Sequence, residues 1–329
     1  MPTKKVLILG PIAPPIGGVS IHISRIIELL KEDFEFDFID ESRLIKPTYF
    51  NIRSLKFLHY LKKIKQTNLL YIHSGKKSLR IFHLFIGKLF GKKMIVTIHS
   101  FASGTPKLVC ITNSILYRLA DRIVVASSEI KNCLFLPQKK TIIKEAFIPP
   151  QIEYEPELPQ EINELILENI RIGNTIICAN ASRLDRYNSQ DLYGLDLCID
   201  VTKRLFNKKT PFIFIFVVSS IEKNSAPFFK SKALIKEFKL EKNFLLTFEK
   251  LSFVKLMEKA DIVVRPTNTD GDSITIREAI FFNKLVLASD VVKRPEGVYL
   301  FQNRDINDFE KRLKNLIKRS HVKNSSREN

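Results

Sequence analysis

Two acids stand eight positions apart in Asp270-Gly-Asp272-Ser273-Ile274-Thr-Ile-Arg-Glu278, just after the strand Ile262-Val-Val-Arg-Pro266. Glu278 lies four residues beyond Ile274, so the two share one face of a helix starting near Ser273. A carboxylate in that position accepts hydrogen bonds from a vicinal diol such as a ribose. Backbone amides around 272–274, at a helix start, suit phosphate oxygens. The same acids also read as ordinary partners of a helix dipole. Asp270-Gly-Asp272 spells the DxD of metal–nucleotide sites, although a three-residue match is weak on its own. The second candidate is Gly10-Pro-Ile-Ala-Pro-Pro-Ile-Gly17-Gly18-Val-Ser20, a proline-stiffened loop ending in a glycine pair. Glycines there remove side-chain bulk and expose amides to an anion at the helix start. The loop is not GxGxxG, so the dinucleotide fingerprint is absent. Alone, it reads equally well as a tight strand-to-helix turn.

These residues need a scaffold, and the chain alternates strand and helix patterns from end to end. Residues 5–10 form a buried apolar strand, and Ile23, Ile26, Ile27 and Leu30 then mark one helix face. Further strands are predicted at 34–39, 69–73, 94–99, 122–126 and 141–145, with helices at 52–65, 79–90 and 108–119. Strands separated by single helices demand crossovers, hence a parallel sheet covered on both faces. Residues 148–159 carry four prolines in twelve, the signature of a linker. Strands at 175–179, 212–218, 244–248, 261–265 and 285–289 follow, with helices at 195–206, 231–238, 253–259 and 274–282. A last helix at 307–317 precedes a polar tail from Lys318. The expectation is an α/β chain of two doubly wound domains, 1–150 and 151–306, with 307–329 as terminal helix and tail. Such domains bind ligands at the carboxyl ends of their strands.

Composition narrows the class. With 329 residues and 45% apolar side chains, the chain is long enough for two cores and too apolar for disorder. The apolar run at 210–221 falls short of the roughly 20 residues of a spanning helix. The amino-terminal apolar stretch stops at Gly10-Pro11 and does not read as a signal peptide. Cys110, Cys133, Cys178 and Cys198 form no CxxC pair and read as reduced, half-buried thiols of a cytosolic protein. Of the net charge of +18, residues 1–150 carry +14, and 42–120 hold 15 Lys/Arg without one acid. A lysine-rich composition alone does not empty one segment of acids. The asymmetry points to an anionic partner, either nucleic acid or an acidic membrane surface.

Four blocks occur in a particular order. They are Gly17-Gly18-Val-Ser-Ile-His22; Ser182-Arg183-Leu184 followed by Tyr193-Gly194-Leu-Asp-Leu197; Arg265-Pro-Thr with Asp270 and Arg277-Glu278-Ala279; and Lys284-Leu-Val-Leu-Ala-Ser-Asp290. Together they resemble the retaining glycosyltransferases of family 4 (group 1), whose GT-B fold sets two Rossmann-like domains across a cleft. The resemblance covers nearly the whole chain and is thinnest over 40–70 and 100–160. It implies an acceptor-binding domain at 1–150 and a nucleotide-sugar domain at 151–306. Gly17 and Gly18 would pack against the donor's phosphates or sugar. His99, closing Val96-Thr-Ile-His99, would contact the transferred sugar, and Arg183 would neutralise the diphosphate. Asp270 and Glu278 take the places of an E-x7-E pair, the first near the donor sugar and the second on the ribose. The amide of Ile274, beside Ser273, would meet a phosphate. His99 and Asp270 are thus the catalytic candidates. The implied donor is a UDP- or GDP-sugar, with no cofactor and no obligatory metal.

Three positions depart from the family. Asp270 is one methylene shorter than the usual Glu, and Ser273 stands where glycine is common, which requires φ below zero there. Tyr193 replaces a Lys or Arg that serves as a second diphosphate cation; Arg186 is the nearest substitute. His22 reads mainly as a helix packing residue, and His73 ends a strand without an assigned role. His59, His83 and His321 read as surface or packing residues. No histidine pair has i,i+4 spacing with an acid, which argues against a catalytic zinc. By the resemblance, the acceptor is a glycan, lipid-linked, in surface polysaccharide synthesis. The basic half would then hold a cytoplasmic enzyme at the inner face of an anionic membrane, with no nucleic-acid partner. The alternatives are a catalytically weak homologue serving an assembly complex, and a basic nucleic-acid-binding protein. A dehydrogenase is disfavoured by the missing fingerprint.

Overall fold

The computed structural model describes residues 4–14, 17–99, 106–126, 128–144, 147–219, 226–248, 251–271 and 273–325. Residues 15–16 of the proline loop, Glu145 of the expected strand, residues 220–221 of the apolar run, Asp272 of the acidic triplet and the last four residues lie outside them. The chain divides into two compact units, Met1–Ile148 and Pro149–Asn329.

The amino-terminal unit runs β1 (Lys4–Gly10), α1 (Gly18–Leu30), β2 (Phe34–Asp40), a 3-10 turn (Ile52–Ser54), α2 (Phe57–Lys65), β3 (Leu69–Ile72) and α3 (Lys77–Leu89). It continues with β4 (Lys93–Ile98), α4 (Lys107–Tyr117), β5 (Arg122–Val125), α5 (Ser128–Cys133), a 3-10 turn (Gln138–Lys140) and β6 (Thr141–Ile143). All pairings are parallel, in the order β2-β1-β3-β4-β5-β6. Alternation along β1 sends Leu7 and Leu9 to one core with Tyr60, Leu84 and Tyr117, and Val6 and Ile8 to another with Ile23 of α1. The helix expected over 52–65 is divided. Asn51 caps the 3-10 turn by accepting from the Arg53 amide, and Leu55 adopts φ 56 before α2 begins.

The carboxy-terminal unit opens with a 3-10 turn (Ile152–Tyr154) and α6 (Gln160–Arg171), a helix concealed by the neighbouring prolines in the sequence pattern. Then come β7 (Thr175–Ala181), the short hairpin β8 (Arg186–Tyr187) and β9 (Gln190–Asp191), α7 (Leu195–Asn207), β10 (Phe212–Val218), α8 (Ala226–Glu237), β11 (Phe244–Thr247) and α9 (Phe253–Lys259). Last are β12 (Ile262–Arg265), α10 (Ile274–Phe281), β13 (Leu285–Ser289), β14 (Val298–Phe301) and α11 (Ile306–Ser325). The sheet order β11-β10-β7-β12-β13-β14 is, in the unit's own counting, the Rossmann order 3-2-1-4-5-6. Central β10 is buried throughout. Phe212, Phe214 and Phe216 enter one core, and Ile213, Ile215 and Val217 the other. The tail expected from Lys318 is instead helical to Ser325. Phe309, Leu313, Leu316 and Ile317 of α11 join the core, and Ser320 bonds Thr175. The cysteines also differ from expectation: Cys178 and Cys198 are fully buried, and Cys110 and Cys133 bring their sulfurs within 3.7 Å. Among the described residues no helix is long and apolar enough to cross a membrane.

Candidate functional site

In the amino-terminal unit the strand order reverses between β1 and β3, and chemistry-bearing residues gather at the carboxyl ends there. Gly10 ends β1, Asp40 ends β2, His73 follows β3 and His99 follows β4. A Cβ on Gly10 would stand 2.9 Å from Ile23 Cδ1 and 3.0 Å from His73 Cβ, so the missing side chain lets α1 and His73 close on the strand. Asp40 ties down the adjoining loop. Its carboxylate accepts from the amides of Ile12 and Ser42, both at 3.0 Å, and pairs with Lys46 Nζ at 2.9 Å. Lys46 in turn donates to the carbonyls of Ile12 and Pro14. Burial would raise the Asp40 pKa, but those amides, Lys46 and Ser42 outweigh it and hold the carboxyl below its ordinary value.

Gly17 caps α1 in extended conformation (φ −157), and its amide donates to Ser20 Oγ at 2.9 Å. A Cβ on Gly18 would meet nothing within 4 Å, and one on Gly17 would meet Ser20 Oγ at 4.0 Å. Among the described residues, neither backbone strain nor packing requires either glycine. Their effect is open space at a helix amino end.

One turn further along α1, His22 meets His73 and His99. Ring centres lie 4.9 Å apart for His22–His99 and 5.4 Å for both His22–His73 and His73–His99. His73 is fully buried, with its pKa driven well below the ordinary value by burial and then by its two neighbours. His99 is pushed down to about 3 by burial, then by His22 and Arg80. His83 is a core residue, 3.0 Å from Glu41 Oε1 and 2.9 Å from the Tyr60 hydroxyl, while Ser74 also donates to Glu41.

In the carboxy-terminal unit the order reverses between β7 and β12. Their ladder runs for two pairs, Ile262 with Ile177 and Val263 with Cys178, and ends there. Asn180 and Arg265 face each other beyond it, with the guanidinium 3.4 Å from Asn180 Oδ1. Asp270 is the hub of this end. It takes Arg265 at 3.2 and 3.3 Å, Arg294 at 2.8 Å and Thr267 Oγ1 at 3.3 Å. Burial pushes its pKa up, but the two guanidiniums prevail and hold the carboxyl below the ordinary range. Asp270 is therefore engaged by two cations, which the sequence reading did not anticipate. Arg294, its side chain 2% exposed, belongs to no motif in that reading.

Ser273 caps α10 with φ −74, so its replacement of glycine costs no backbone strain, and its buried Oγ finds no hydrogen-bond partner among the described residues. Ile274 opens the helix, and Glu278 is buried one turn on. Arg183 is exposed and paired with Asp185; Arg186 is exposed in β8 and is not brought into the Asp270 network. Tyr193, in the position of the missing cation, bonds Ser182 Oγ at 2.7 Å, and the Arg265 guanidinium lies 5.2 Å from its ring centre. Gly194 must be glycine: φ is +70, and a Cβ would stand 2.3 Å from the Pro266 carbonyl. Asp191, also missed, accepts from the amides of Tyr193 and Gly194 and holds that turn. A concavity of about 410 Å³ lined by Leu285, Lys318, Arg319 and Val322 opens at the amino end of β13. It touches none of these residues, and the strand-end geometry is the better guide to a site.

No protein-family model and no curated protein matches the sequence. Solved structures do match in fold. HepE from Anabaena, in complex with UDP, is 13% identical with TM-score 0.64 over 96% of this chain and 90% of that one. A glycosyltransferase from Rickettsia africae is 15% identical with TM-score 0.64 over 97% and 89%. Sucrose-phosphate synthase from Thermosynechococcus elongatus is 14% identical with TM-score 0.63 over 96% and 90%. At these identities the likeness shows the fold, the two-Rossmann-domain GT-B architecture.

Proposed function

We propose that the chain is a retaining glycosyltransferase that moves a sugar from a nucleotide-diphosphate donor to a glycan acceptor. The observation that carries this reading is the basic cluster of Arg265 and Arg294 around Asp270 at the β7–β12 switch point, where α/β sheets bind nucleotides. A diphosphate leaving group needs cations that persist through the transition state. Arg183 supplies one, and Arg265, over the Tyr193 ring, supplies the charge that Tyr193 lacks. The amino end of α10 at Ser273 and Ile274 takes a phosphate, and Glu278 takes the ribose. In the amino-terminal unit Gly17 and Gly18 leave room for the sugar, which His99 contacts; in the carboxy-terminal unit Asp270 orients the two arginines. HepE, of similar fold, has been solved with UDP-glucose, which makes UDP-sugars the first donors to try.

Calorimetric titration with UDP, GDP and their sugars tests the reading. Binding of one nucleotide class, weakened by Arg183→Ala and by Glu278→Ala with folding intact, is the expected result. No binding of any of them refutes it. Product anomer by NMR then decides retention.

The acceptor in this proposal is lipid-linked, for surface polysaccharide made at the inner face of a membrane. Support comes from α4, which exposes Leu108, Ile111 and Ile115 at i, i+3, i+7, and from exposed Leu55, Phe57 and Leu58 beside Lys56, Lys62 and Lys65. Some of the basic block is used internally: Lys46 pairs with Asp40, and Lys63 with Asp37 at 2.6 Å. Charge reversal therefore belongs at Lys62 and Lys65. It should weaken salt-sensitive binding to anionic vesicles, at about 1 kcal/mol per residue; binding indifferent to salt and to these changes would count against the membrane surface.

A further inference from the structure

Three imidazoles reach one point from three separate elements: His22 from α1, His73 after β3 and His99 after β4. One nitrogen on each lies within 4.8 Å of those on the other two, and His73 Nδ1 is 3.2 Å from His99 Nε2. A tetrahedral ion with metal–nitrogen bonds of about 2.0–2.1 Å sets its ligand nitrogens ~3.3 Å apart and the ring centres ~5.2 Å apart. The observed triangle of centres, 4.9, 5.4 and 5.4 Å, brackets that spacing, and one nitrogen pair already has the edge length.

His73 is fully buried; its Nδ1 faces His99 Nε2, and among the described residues its other ring nitrogen, Nε2, has no hydrogen-bond partner. The cluster itself contains no carboxylate. Arg80, whose charge acts on His99, weighs against a cation, and its guanidinium sits 5.8 Å from the Tyr117 ring centre. Buried Glu41 accepts from Ser74, beside His73, and lies 3.0 Å from His83 Nε2. We propose that His22, His73 and His99 form a three-histidine site for a divalent ion of the zinc class. Imidazole ligands select zinc, cobalt, nickel and copper over magnesium or calcium. Three ligands leave a fourth position for water or a ligand hydroxyl, and His99 is the least buried of the three.

The site shares His99 with the transferase reading, but its test does not use activity, so the two can fail separately. Chelator-treated, dialysed full-length protein is titrated with Zn²⁺ against a chromogenic indicator. Co²⁺ is added in parallel to read the intense visible bands of tetrahedral nitrogen coordination. One equivalent should bind. His22→Ala and His99→Ala should each weaken binding by more than the ~10–100-fold caused by losing a residue that merely orients a ligand. His59→Ala, outside the cluster, should bind as the parent does. Circular dichroism of each variant separates loss of the site from loss of the fold, and His99→Gln provides a second, gentler substitution if His99→Ala unfolds. Sub-stoichiometric binding, binding unchanged in folded His22 and His99 variants, or binding abolished instead by Cys110→Ser with Cys133→Ser would overturn the proposal.

Discussion

Asp270→Asn is the substitution whose consequence the geometry sets most sharply. The carboxylate is 10% exposed and serves two guanidiniums, Arg265 at 12% and Arg294 at 2%. Asn keeps the shape and one acceptor but removes the charge, so two nearly buried cations lose their counter-ion. Removing one partner of a buried pair costs about 3–5 kcal/mol. An effective dielectric near 20 gives a similar figure, about 4 kcal/mol for unit charges ~4 Å apart. For a unit of this size, with a shift of about 2–4 °C per kcal/mol, 3 kcal/mol predicts a fall in melting temperature of roughly 6–12 °C. Urea unfolding of the parent, Asp270→Asn, Arg294→Met and the double variant measures it. The double variant should cost less than the sum of the singles, because Arg294→Met removes one of the stranded charges. The dependence on pH has a definite sign. The folded-state pKa of Asp270 is depressed, so its stabilisation is complete above the unfolded value near 3.9 and is lost as pH falls through the folded value. The gap between parent and Asp270→Asn should therefore close in acid. A loss below about 1 kcal/mol at neutral pH, or strict additivity in the cycle, would refute the account of Asp270 as a hub.

Gly194→Ala combines a left-handed backbone with a clash against the Pro266 carbonyl and should cost about 2–5 kcal/mol in urea unfolding. Asp40→Asn removes the charge opposite nearly buried Lys46 and should destabilise the amino-terminal unit by about 3 kcal/mol, part of which Lys46→Met restores. Because the Asp40 pKa is depressed, that loss too should shrink below about pH 4. Cys110 and Cys133, with sulfurs 3.7 Å apart, should join under diamide, giving an intrachain disulfide by peptide mass mapping that Cys133→Ser abolishes.

Much of the architecture was legible because apolar periodicity is local. The strands at 212–218 and 285–289 and the helix at 253–259 stand where the pattern put them, each bounded by turn residues. The misses have physical causes. α6 begins immediately after Pro159, and its face of Ile162, Ile166 and Asn169 was left unassigned between the linker at 148–159 and the strand at 175–179. β14 is a four-residue edge strand with only Phe301 buried, too short to signal itself. The terminal helix runs on to Ser325 because Thr175 bonds Ser320 and lies 3.2 Å from His321 Nε2. A polar composition hides such contacts, which come from the other end of the unit.

The site residues followed a different logic, and that explains which ones escaped. Motif spacing relates residues within one element, so Ser273, Ile274 and Glu278 on α10 were visible together. A zinc rule built on i,i+4 pairs is confined in the same way, and it does not bear on three imidazoles separated by 51 and 26 positions. A parallel sheet, however, aligns the carboxyl ends of all its strands, so the residue after each strand forms a row in space. Read as that row, the amino-terminal half gives Gly10, Asp40-Glu41, His73 and His99. Two of the three histidines and both anchoring acids were therefore recoverable from the strand assignments already made. His22 was not, because its arrival depends on how closely α1 approaches β1. That approach is set by Gly10, where any side chain would meet both Ile23 and His73. Gly10, the first residue of the proline loop, is thus the contact that brings the third imidazole to the other two.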